Sequence, residues 1–395
     1  MMRGNQVTRT DSSTPALHGS IVGDPEELED VVGQWDQLAV DNRAPYSAPA
    51  WCLAWWRHVA PPSAQLRVIV VRDDETVVAV APFYCVAPRL RPVRYGFLAG
   101  GTSPRVEPLA RRGTEDAAAA AIVAALTTAR PRPDVIEFAG TPVESPWPAL
   151  LGRKWPGTPP KVLTTQSMSA PAVRLDADFE RWLAGRSRNF RQQARRHRRR
   201  LLDSGATFRV VSDAADARDR LDDFERLHEA RWRYRGGSGV LDRRVMNMLH
   251  DVAVSMTASG RFRLHLIEHS ERVISAHVFV AAGREVTYWL GGFDEEWSAE
   301  QPSLQALVAA IEHAIAVGDD RFDLGPGAQP YKLRLSDHEQ ELQWLALYPP
   351  GPRRPLVIAS TLPHRIVTSV RQAVFDVLTT ERKNQIKRWL RRFRG

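Results

Sequence analysis

Two well-separated stretches of this 395-residue chain align with each other without a gap. They are Leu66–Tyr84 (LRVIVVRDDETVVAVAPFY) and Phe262–Val280 (FRLHLIEHSERVISAHVFV). Each reads as an apolar strand, a short polar turn and a second apolar strand, which is the pattern of an antiparallel hairpin. A hairpin used twice indicates a duplicated unit. Two unrelated hairpins of similar appearance are the alternative, because short apolar runs are ambiguous.

Similar elements surround both hairpins. Around the first, the apolar spacing predicts helices over 25–40, 49–59 and 115–128 and strands over 94–99 and 134–139. Around the second, it predicts helices over 179–204, 214–235, 242–259 and 303–317 and strands over 285–293 and 321–324. Helices, a hairpin and then strand, helix, strand form an α/β arrangement with mixed, largely antiparallel sheets. We therefore predict two tandem α/β domains.

The domain boundaries follow from composition. We assign a first domain to 21–160, ending in a proline-rich stretch, a second to 161–348, and a helical tail to 349–395. Residues 1–20 are polar, so we expect them to be disordered and not to act as a secretory signal. Only Cys52 and Cys85 are present, and no apolar run is long enough to cross a bilayer. These features favour a cytoplasmic protein with two buried cysteines.

The charge is concentrated in two basic patches. Residues 186–200 contain eight arginines and no acid, and 382–395 contain seven Lys or Arg and no acid, although the net charge is only +8. On one helix, an adjacent face beside an apolar stripe would carry Arg188, Arg191, Arg195 and Arg199. One guanidinium group can donate two parallel hydrogen bonds to the oxygens of a phosphate, so this face predicts a phosphate-bearing ligand. A solvated basic face is the alternative.

Four segments of the second half resemble a known family. They are SRNFRQQARRHRRRLLDSGA, LHEARWRYRGG, VISAHVFVAAGREVTYWLGGFD and FDLGPGAQPYK. Together they resemble the GNAT-related acyltransferases that include CelD-like exopolysaccharide proteins and Fem-type peptidoglycan peptidyltransferases. The resemblance extends over about residues 51–344. It implies two GNAT-like (acyl-CoA N-acyltransferase) domains and transfer of an acyl group to an amine or a hydroxyl.

The resemblance implies acetyl-CoA or another acyl-CoA as the donor, but one segment departs from the family pattern. In such enzymes a glycine-rich turn before a helix holds the coenzyme A diphosphate through main-chain N–H groups. Here residues 294–304 read DEEWSAEQPSL, with no glycine and three glutamates. An aminoacyl-tRNA, as in the Fem-type relatives, is therefore the alternative donor. A non-catalytic scaffold of the same fold is a further alternative.

The candidate catalytic residues lie on two strands of the second domain. Alternation separates His277 from the apolar face of its strand, and a histidine that titrates near neutrality can act as a base. A structural histidine is the alternative. Asp323 ends a later strand, and Lys332 follows it closely as a candidate oxyanion donor. A capping aspartate and a solvated lysine are the alternatives there.

The remaining candidates concern substrate binding. Main-chain atoms at glycines can approach a ligand closely. The candidate substrate-binding residues, drawn from the segments quoted above, are Trp232, Tyr288, Gly325, Gly327 and Tyr331. Trp51 and Trp55 share a helical face on which a sugar or base would stack, although core packing is the alternative. No metal-ligand spacing appears, so we expect no metal.

We therefore predict an acyltransferase that acts on a sugar, lipid-linked or peptide precursor, in polysaccharide or cell-envelope synthesis. No DNA partner is expected. Residues 364–395 combine an apolar helical face with basic residues, which is typical of helices at a lipid interface. The tail would hold the protein at the inner face of an anionic membrane. Packing on the acidic body or binding of tRNA are the alternatives.

Overall fold

The computed structural model describes residues 17–175, 178–233 and 239–361, without the side chains of 231–233. The first repeat runs from residue 17 to 174. In chain order its elements are β1 His18–Val22, α1 Glu29–Asp41, α2 Pro49–His58, β2 Ala64–Asp73, β3 Thr76–Val86, β4 Arg94–Phe97, β5 Leu109–Ala110, α3 Glu115–Thr128, β6 Val135–Pro142, α4 Trp147–Lys154 and β7 Lys161–Arg174. The first strand of the described residues thus begins at His18, inside the segment expected to be disordered.

The second repeat has the same order after two added helices, apart from β5, which has no counterpart among its described residues. Its elements are α5 Phe179–Ala184, α6 Arg188–Asp203, β8 Thr207–Val210, α7 Ala214–Arg233, α8 Arg243–Met256, β9 Phe262–His269, β10 Arg272–Ala282, β11 Glu285–Phe293, α9 Pro302–Ala316, β12 Arg321–Asp323, α10 Pro330–Leu335 and β13 His338–Tyr348. Both predicted hairpins are present, as β2–β3 and β9–β10. The predicted tail from 364 onwards lies outside the described residues.

The predicted helix over 179–204 is two helices, so that prediction was wrong at one point. The break falls at Gly185, Arg186 and Ser187. Ser187 caps α6, because its hydroxyl accepts a hydrogen bond from the Phe190 N–H at 3.3 Å. The Arg186 guanidinium turns away and donates to the Leu335 and Ser336 carbonyls at 2.8 and 2.5 Å. The serine cap begins the second helix, and the tertiary contact of Arg186 holds the break between the two helices.

In the described part of the chain, the strands form one continuous mixed sheet instead of two. Its order is β1-β2-β3-β4-β6-β13-β7-β12-β11-β10-β9-β8, with β5 attached to β3. Only β4–β6 and β11–β12 pair in parallel, so the largely antiparallel α/β prediction is confirmed.

The two repeats exchange their last strands at the centre of the sheet. β7 closes the first repeat in sequence but pairs with β12 of the second. β13 closes the second repeat but pairs with β6 of the first, and β7 and β13 pair with each other over their length. The sheet is continuous because of this exchange.

Candidate active site

The two parallel strands of the second repeat diverge after a short contact. β11 and β12 pair only from Glu285 to Thr287 and from Arg321 to Asp323. β11 then continues along β10 as far as Phe293, on its other side. A cavity of about 550 Å³, here called the large cavity, opens at this divergence, and two cavities elsewhere on the described chain have similar volumes of about 620 and 610 Å³. At the divergence, the walls of the large cavity are Tyr288, Trp289 and Leu290 on one strand and Gly325 and Pro326 after the other.

A β-bulge lies in the wall of the large cavity. Tyr288 is opposite Phe279 and Leu290 is opposite Val278, so Trp289 has no counterpart on β10. A bulge of this type leaves main-chain polar groups outside the ladder and is common beside active sites. Main-chain N–H groups at a cavity wall are suitable donors to a developing oxyanion.

The equivalent divergence in the first repeat is partly filled. β4 and β6 pair in parallel only over Arg94–Gly96 and Val135–Glu137. The connection that follows β4 turns back, and the Arg105 N–H donates to the Ala139 and Gly140 carbonyls at 3.2 and 3.1 Å. Pro104 packs on Gly140, where a Cβ atom would lie 2.5 Å from the proline Cβ. The chain itself therefore fills part of this opening, while Arg94 of β4 and Glu137 to Ala139 of β6 line the large cavity.

The same connection forms a further wall of the large cavity. Residues 100–105, here called the bridging loop, line it together with Thr165 and Gln166 of β7 and Trp344 of β13. Three indole N–H groups hold the loop. Trp51 donates to the Ser103 hydroxyl at 3.1 Å, Trp55 to the Thr102 hydroxyl at 2.9 Å, and Trp289 to the Thr102 carbonyl at 3.4 Å.

Trp51 and Trp55 are therefore structural. They are 0% and 4% exposed. Core packing, the alternative to stacking on a ligand, is confirmed for both.

Asp323 is fully buried beneath the bridging loop. Its carboxylate forms an ion pair with Arg105 of that loop and lies 3.5 Å from Arg321. Its other oxygen accepts the Gly325 N–H at 2.6 Å. Gln340 of β13 completes the network, because its side-chain oxygen accepts from Arg105 at 2.7 Å and from Arg321 at 3.0 Å. The carboxylate thus ties the second repeat to the first.

Lys332 holds the turn that follows β12. Its side chain is 5% exposed, and the amine donates to the Gly325 and Pro326 carbonyls at 3.1 and 2.8 Å. Gly325 and Gly327 both have positive φ angles, 74° and 95°, which favour glycine. The neighbouring Tyr331 is partly buried against the core of the second repeat. The predicted lysine therefore contacts the cavity wall.

His277 is fully buried and contacts the large cavity through Tyr288. Its ring stacks on the Tyr288 ring with 5.6 Å between centroids. It also covers Gly291 of β11, where a Cβ atom would lie 2.2 Å from the His277 Nδ1. The glycine is required because the imidazole occupies that space. The structure thus brings His277, Tyr288, Asp323, Gly325 and Lys332 to one side of the second repeat.

The predicted arginine face divides into paired and outward-facing residues. Arg191 donates to the Ala184 and Arg186 carbonyls at 3.1 and 2.5 Å, and Arg195 pairs with Glu180 at 2.7 Å. Arg188 and Arg199 are exposed on the side of α6 away from its buried residues. Phe190, Ala194 and Leu201 are buried, as the apolar stripe predicted.

The turn between β11 and α9 does not fit a diphosphate. Residues Glu295–Glu300 form a 3₁₀ helix, and the Asp294 side chain caps it by accepting the Glu296 N–H at 3.1 Å. Glu295 and Glu296 are exposed there. A carboxylate already occupies the cap, and the neighbouring acids repel an anion. The expected place for the coenzyme A diphosphate is therefore unsuitable.

The side chain of one candidate, Trp232, lies outside the described residues.

One acidic residue was missed by sequence reasoning. Glu107 lines a second cavity of about 240 Å³ between the repeats, here called the polar cavity. Its carboxylate accepts the Ser145 hydroxyl at 2.7 Å. Burial raises its pKa to about 7, against lowering by Ser145 and Arg105. The local sequence RVEPLARR contains no motif that marks this residue.

A comparison with protein-family models finds a match within the second repeat. The family model for the acetyltransferase (GNAT) domain matches residues 188–333. That range contains α6, the bulge and the glycine turn. No curated protein matches the chain. The chain thus carries a GNAT acetyltransferase domain, which supports acyltransferase activity in general.

Solved structures resemble the two-repeat arrangement. FemX superposes with a TM-score of 0.58 at 13% identity, covering 85% of this chain and 98% of that chain. The C-terminal domain of a putative lysylphosphatidylglycerol synthetase from Agrobacterium fabrum gives 0.53 at 13%, covering 85% and 96%. A conserved protein of unknown function from Bacteroides thetaiotaomicron gives 0.50 at 11%, covering 83% and 99%. At such identities the likeness shows the fold alone.

The described ranges contain no helix with the length and apolar character that crossing a bilayer requires.

Proposed function

We propose that the protein transfers an acyl group from an activated ester or thioester to an amine or a hydroxyl, within the large cavity. The observation that carries this proposal is the opening of about 550 Å³ where β11 and β12 diverge. Cavities of this size suit small-molecule substrates. The GNAT domain match over residues 188–333 supports placing the reaction in the second repeat.

The acyl carbonyl would lie against β11 at the Trp289 bulge. The acceptor nitrogen or oxygen attacks the carbonyl carbon, the new bond forms, and the bond to the leaving group breaks. Main-chain N–H groups at the bulge would stabilise the oxyanion of the intermediate. Tyr288 and the Gly325–Pro326 turn would orient the substrate from the two sides.

The three predicted catalytic residues would then position the groups that contact the substrate. Asp323 and Lys332 hold the Gly325–Pro326 turn, since the first accepts the Gly325 N–H and the second donates to both carbonyls. His277 supports Tyr288 by stacking. Both Asp323 oxygens are already engaged, which disfavours it as the base.

The donor is proposed to be recognised mainly by its acyl and thioester or ester portion. Acyl-CoA remains a candidate because the matched family is one of acetyltransferases. The acidic turn at Glu295–Glu300 predicts that a diphosphate contributes little affinity there.

Aminoacyl-tRNA is a second candidate donor, favoured by the outward-facing Arg188 and Arg199. Such arginines suit a phosphate backbone, and their contribution would fall with salt.

A donor panel tests the proposal. Purified protein is incubated with acetyl-CoA, S-acetylpantetheine or aminoacyl-tRNA and a mixture of amino sugars, peptides and amines, and acylated products are detected by mass spectrometry. We expect acyl transfer, with S-acetylpantetheine within about tenfold of acetyl-CoA in kcat/KM, a difference of about 1.4 kcal/mol or less. No product with any donor would contradict the proposed function.

The arginine face has its own test. Arg188→Glu together with Arg199→Glu should weaken binding of the active donor and flatten its salt dependence, with an unchanged melting temperature. Arg191 and Arg195 are the control positions for this change, because their side chains already have partners within the protein. Unchanged donor affinity in the Arg188 and Arg199 double variant would remove the phosphate-binding role.

The acceptor is proposed to be a small-molecule or lipid-linked precursor in exopolysaccharide or cell-envelope synthesis. The basic tail 364–395 would hold the protein at the inner face of an anionic membrane. Flotation tests this: full-length protein should rise with liposomes that contain anionic lipid, and protein truncated after Thr380 should not. If full-length and truncated protein both remain at the bottom of the tube at low salt, the proposed membrane binding is contradicted.

A further inference from the structure

The polar cavity lies between the two repeats and opens beside the reaction site. Its walls come from the first repeat at Asn42, Tyr46 and Glu107 and from the second at Glu285 and Gln340. Both repeats are therefore needed to form it.

The polar cavity meets the large cavity at a shared wall. Tyr46, Arg105 and Thr287 line both. Thr287 is the last residue of β11 that pairs with β12, and the bulge at Trp289 follows it. The polar cavity therefore adjoins the β11 wall of the large cavity on the side of the first repeat, with Tyr46, Arg105 and Thr287 between the two spaces.

Charged groups in and beside the polar cavity are mostly paired. Arg43 pairs with Asp320 at 2.8 Å, Arg105 with the buried Asp323, and Arg321 with Glu285. Burial keeps the pKa of Tyr46 well above its usual value, so this phenol stays neutral. The charges nearest to Glu107 thus largely cancel.

Glu107 differs from the other acids of the polar cavity. Within the described ranges it forms no ion pair, and its carboxylate accepts the Ser145 hydroxyl. Its main-chain N–H and carbonyl are fixed by the Ser47 hydroxyl, each at 3.4 Å. The backbone is therefore anchored, and the carboxylate remains available to the polar cavity.

We propose that Glu107, a residue of the first repeat, is the proton acceptor for the acyl transfer that the second repeat carries out. The proposal rests on the proposed function. The acceptor amine or hydroxyl enters through the polar cavity and attacks the acyl carbon. Its proton passes to the Glu107 carboxylate, the bond to the ester or thioester leaving group breaks, and that group departs with the electron pair. Glu107 then returns the proton to the leaving group or to water.

The environment suits this role. A base works best when its pKa is near the working pH, and burial raises the pKa of Glu107 to about 7. His277 is fully buried, and Asp323 is held by an arginine and a main-chain N–H. Glu107 is partly buried, and within the described ranges its carboxylate forms no ion pair.

The test combines a titration with kinetics. In protein labelled with ¹³C at glutamate carboxyls, one resonance should titrate near pH 7 and be absent from Glu107→Gln. With S-acetylpantetheine or acetyl-CoA, whichever is active, wild-type kcat/KM should fall about tenfold for each pH unit below 7. Glu107→Gln should lose on the order of 100-fold at pH 8 and lose this pH dependence.

Two further variants sharpen the result. Ser145→Ala removes a hydrogen bond that lowers the Glu107 pKa, so the acidic limb should move to higher pH while activity at high pH is retained. Glu75→Gln is the control, because Glu75 is an exposed acid in the β2–β3 turn, lines neither cavity and should behave like wild type.

The outcomes separate the proposals. A Glu107→Gln variant with wild-type activity and pH profile, or the absence of a carboxyl that titrates near pH 7, overturns the role of Glu107 and leaves the proposed function standing. Wild-type protein that transfers no acyl group with any donor removes the proposed function, and the role of Glu107 with it.

Discussion

The ion pair between Arg105 and Asp323 should make a large contribution to stability. It joins the bridging loop of the first repeat to β12 of the second, with side chains that are 14% and 0% exposed. Replacing Arg105 by Met keeps most of the apolar side chain and removes the charge. The Asp323 carboxylate then keeps the Gly325 N–H at 2.6 Å and Arg321 at 3.5 Å.

The magnitude follows from what each variant leaves behind. Removing one partner of a buried ion pair costs about 3–5 kcal/mol. Arg321 remains close to Asp323, so we expect about 3 kcal/mol for Arg105→Met. Asp323→Asn should cost about 1–2 kcal/mol, because both arginines keep Gln340 as an acceptor at 2.7 and 3.0 Å. The double variant should cost less than the sum by about 1–2 kcal/mol.

Urea denaturation at pH 7 of the four proteins in this cycle measures these values. Arg195→Met is the control, because its pair with Glu180 is 64% and 69% exposed and should contribute less than about 1 kcal/mol. A free energy of unfolding for Arg105→Met within about 0.5 kcal/mol of wild type would refute the reasoning, because that is the range of ordinary surface substitutions.

Three further variants test other contacts. Burial raises the folded-state pKa of Glu107 to about 7, so the contribution of this residue to the stability of wild type falls as pH rises from about 5 to 8. In urea titrations, the free energy of unfolding of Glu107→Gln should therefore gain about 2–3 kcal/mol relative to wild type over that range. An equal pH dependence of stability in the two proteins would contradict the raised pKa. Gly291→Ala should lower stability by about 1–3 kcal/mol, and a His277→Ser background should relieve this loss; no relief would show that the imidazole is not the obstacle. Lys332→Met should lower the free energy of unfolding by about 1–3 kcal/mol because two carbonyls lose a donor, whereas a lysine that acts only on the oxyanion would leave stability unchanged.

The local elements could be predicted from the sequence because their signals are local. The alternation in 66–84 and 262–280 and the turn residues between the strands define both hairpins. In the second turn Ser270 and Glu271 have positive φ angles, 48° and 67°, as a tight two-residue turn requires. The helix over 115–128 was predicted at its observed bounds.

The sheet order and the site depend on distant pairs. β7 and β13 were not predicted as strands, because their pairing partners are far away in sequence and neither is a short regular hairpin. Asp323 was chosen from its place at a strand end, but its partner Arg105 lies in another repeat and no pattern connects them. Glu107 was missed for the same reason, since its raised pKa comes from burial between the repeats.

The central claim is that acyl transfer occurs in the large cavity, and filling that cavity tests it most directly. Gly101 lines the cavity, and a Cβ atom there would meet nothing within 4 Å. Gly33 on α1 has equally open surroundings and serves as the control. With whichever thioester or ester donor is active, Gly101→Trp should lower kcat/KM by at least about tenfold, equivalent to about 1.4 kcal/mol, with an unchanged melting temperature. Gly33→Trp should retain wild-type kcat/KM. Wild-type activity in a folded Gly101→Trp protein would contradict the claim.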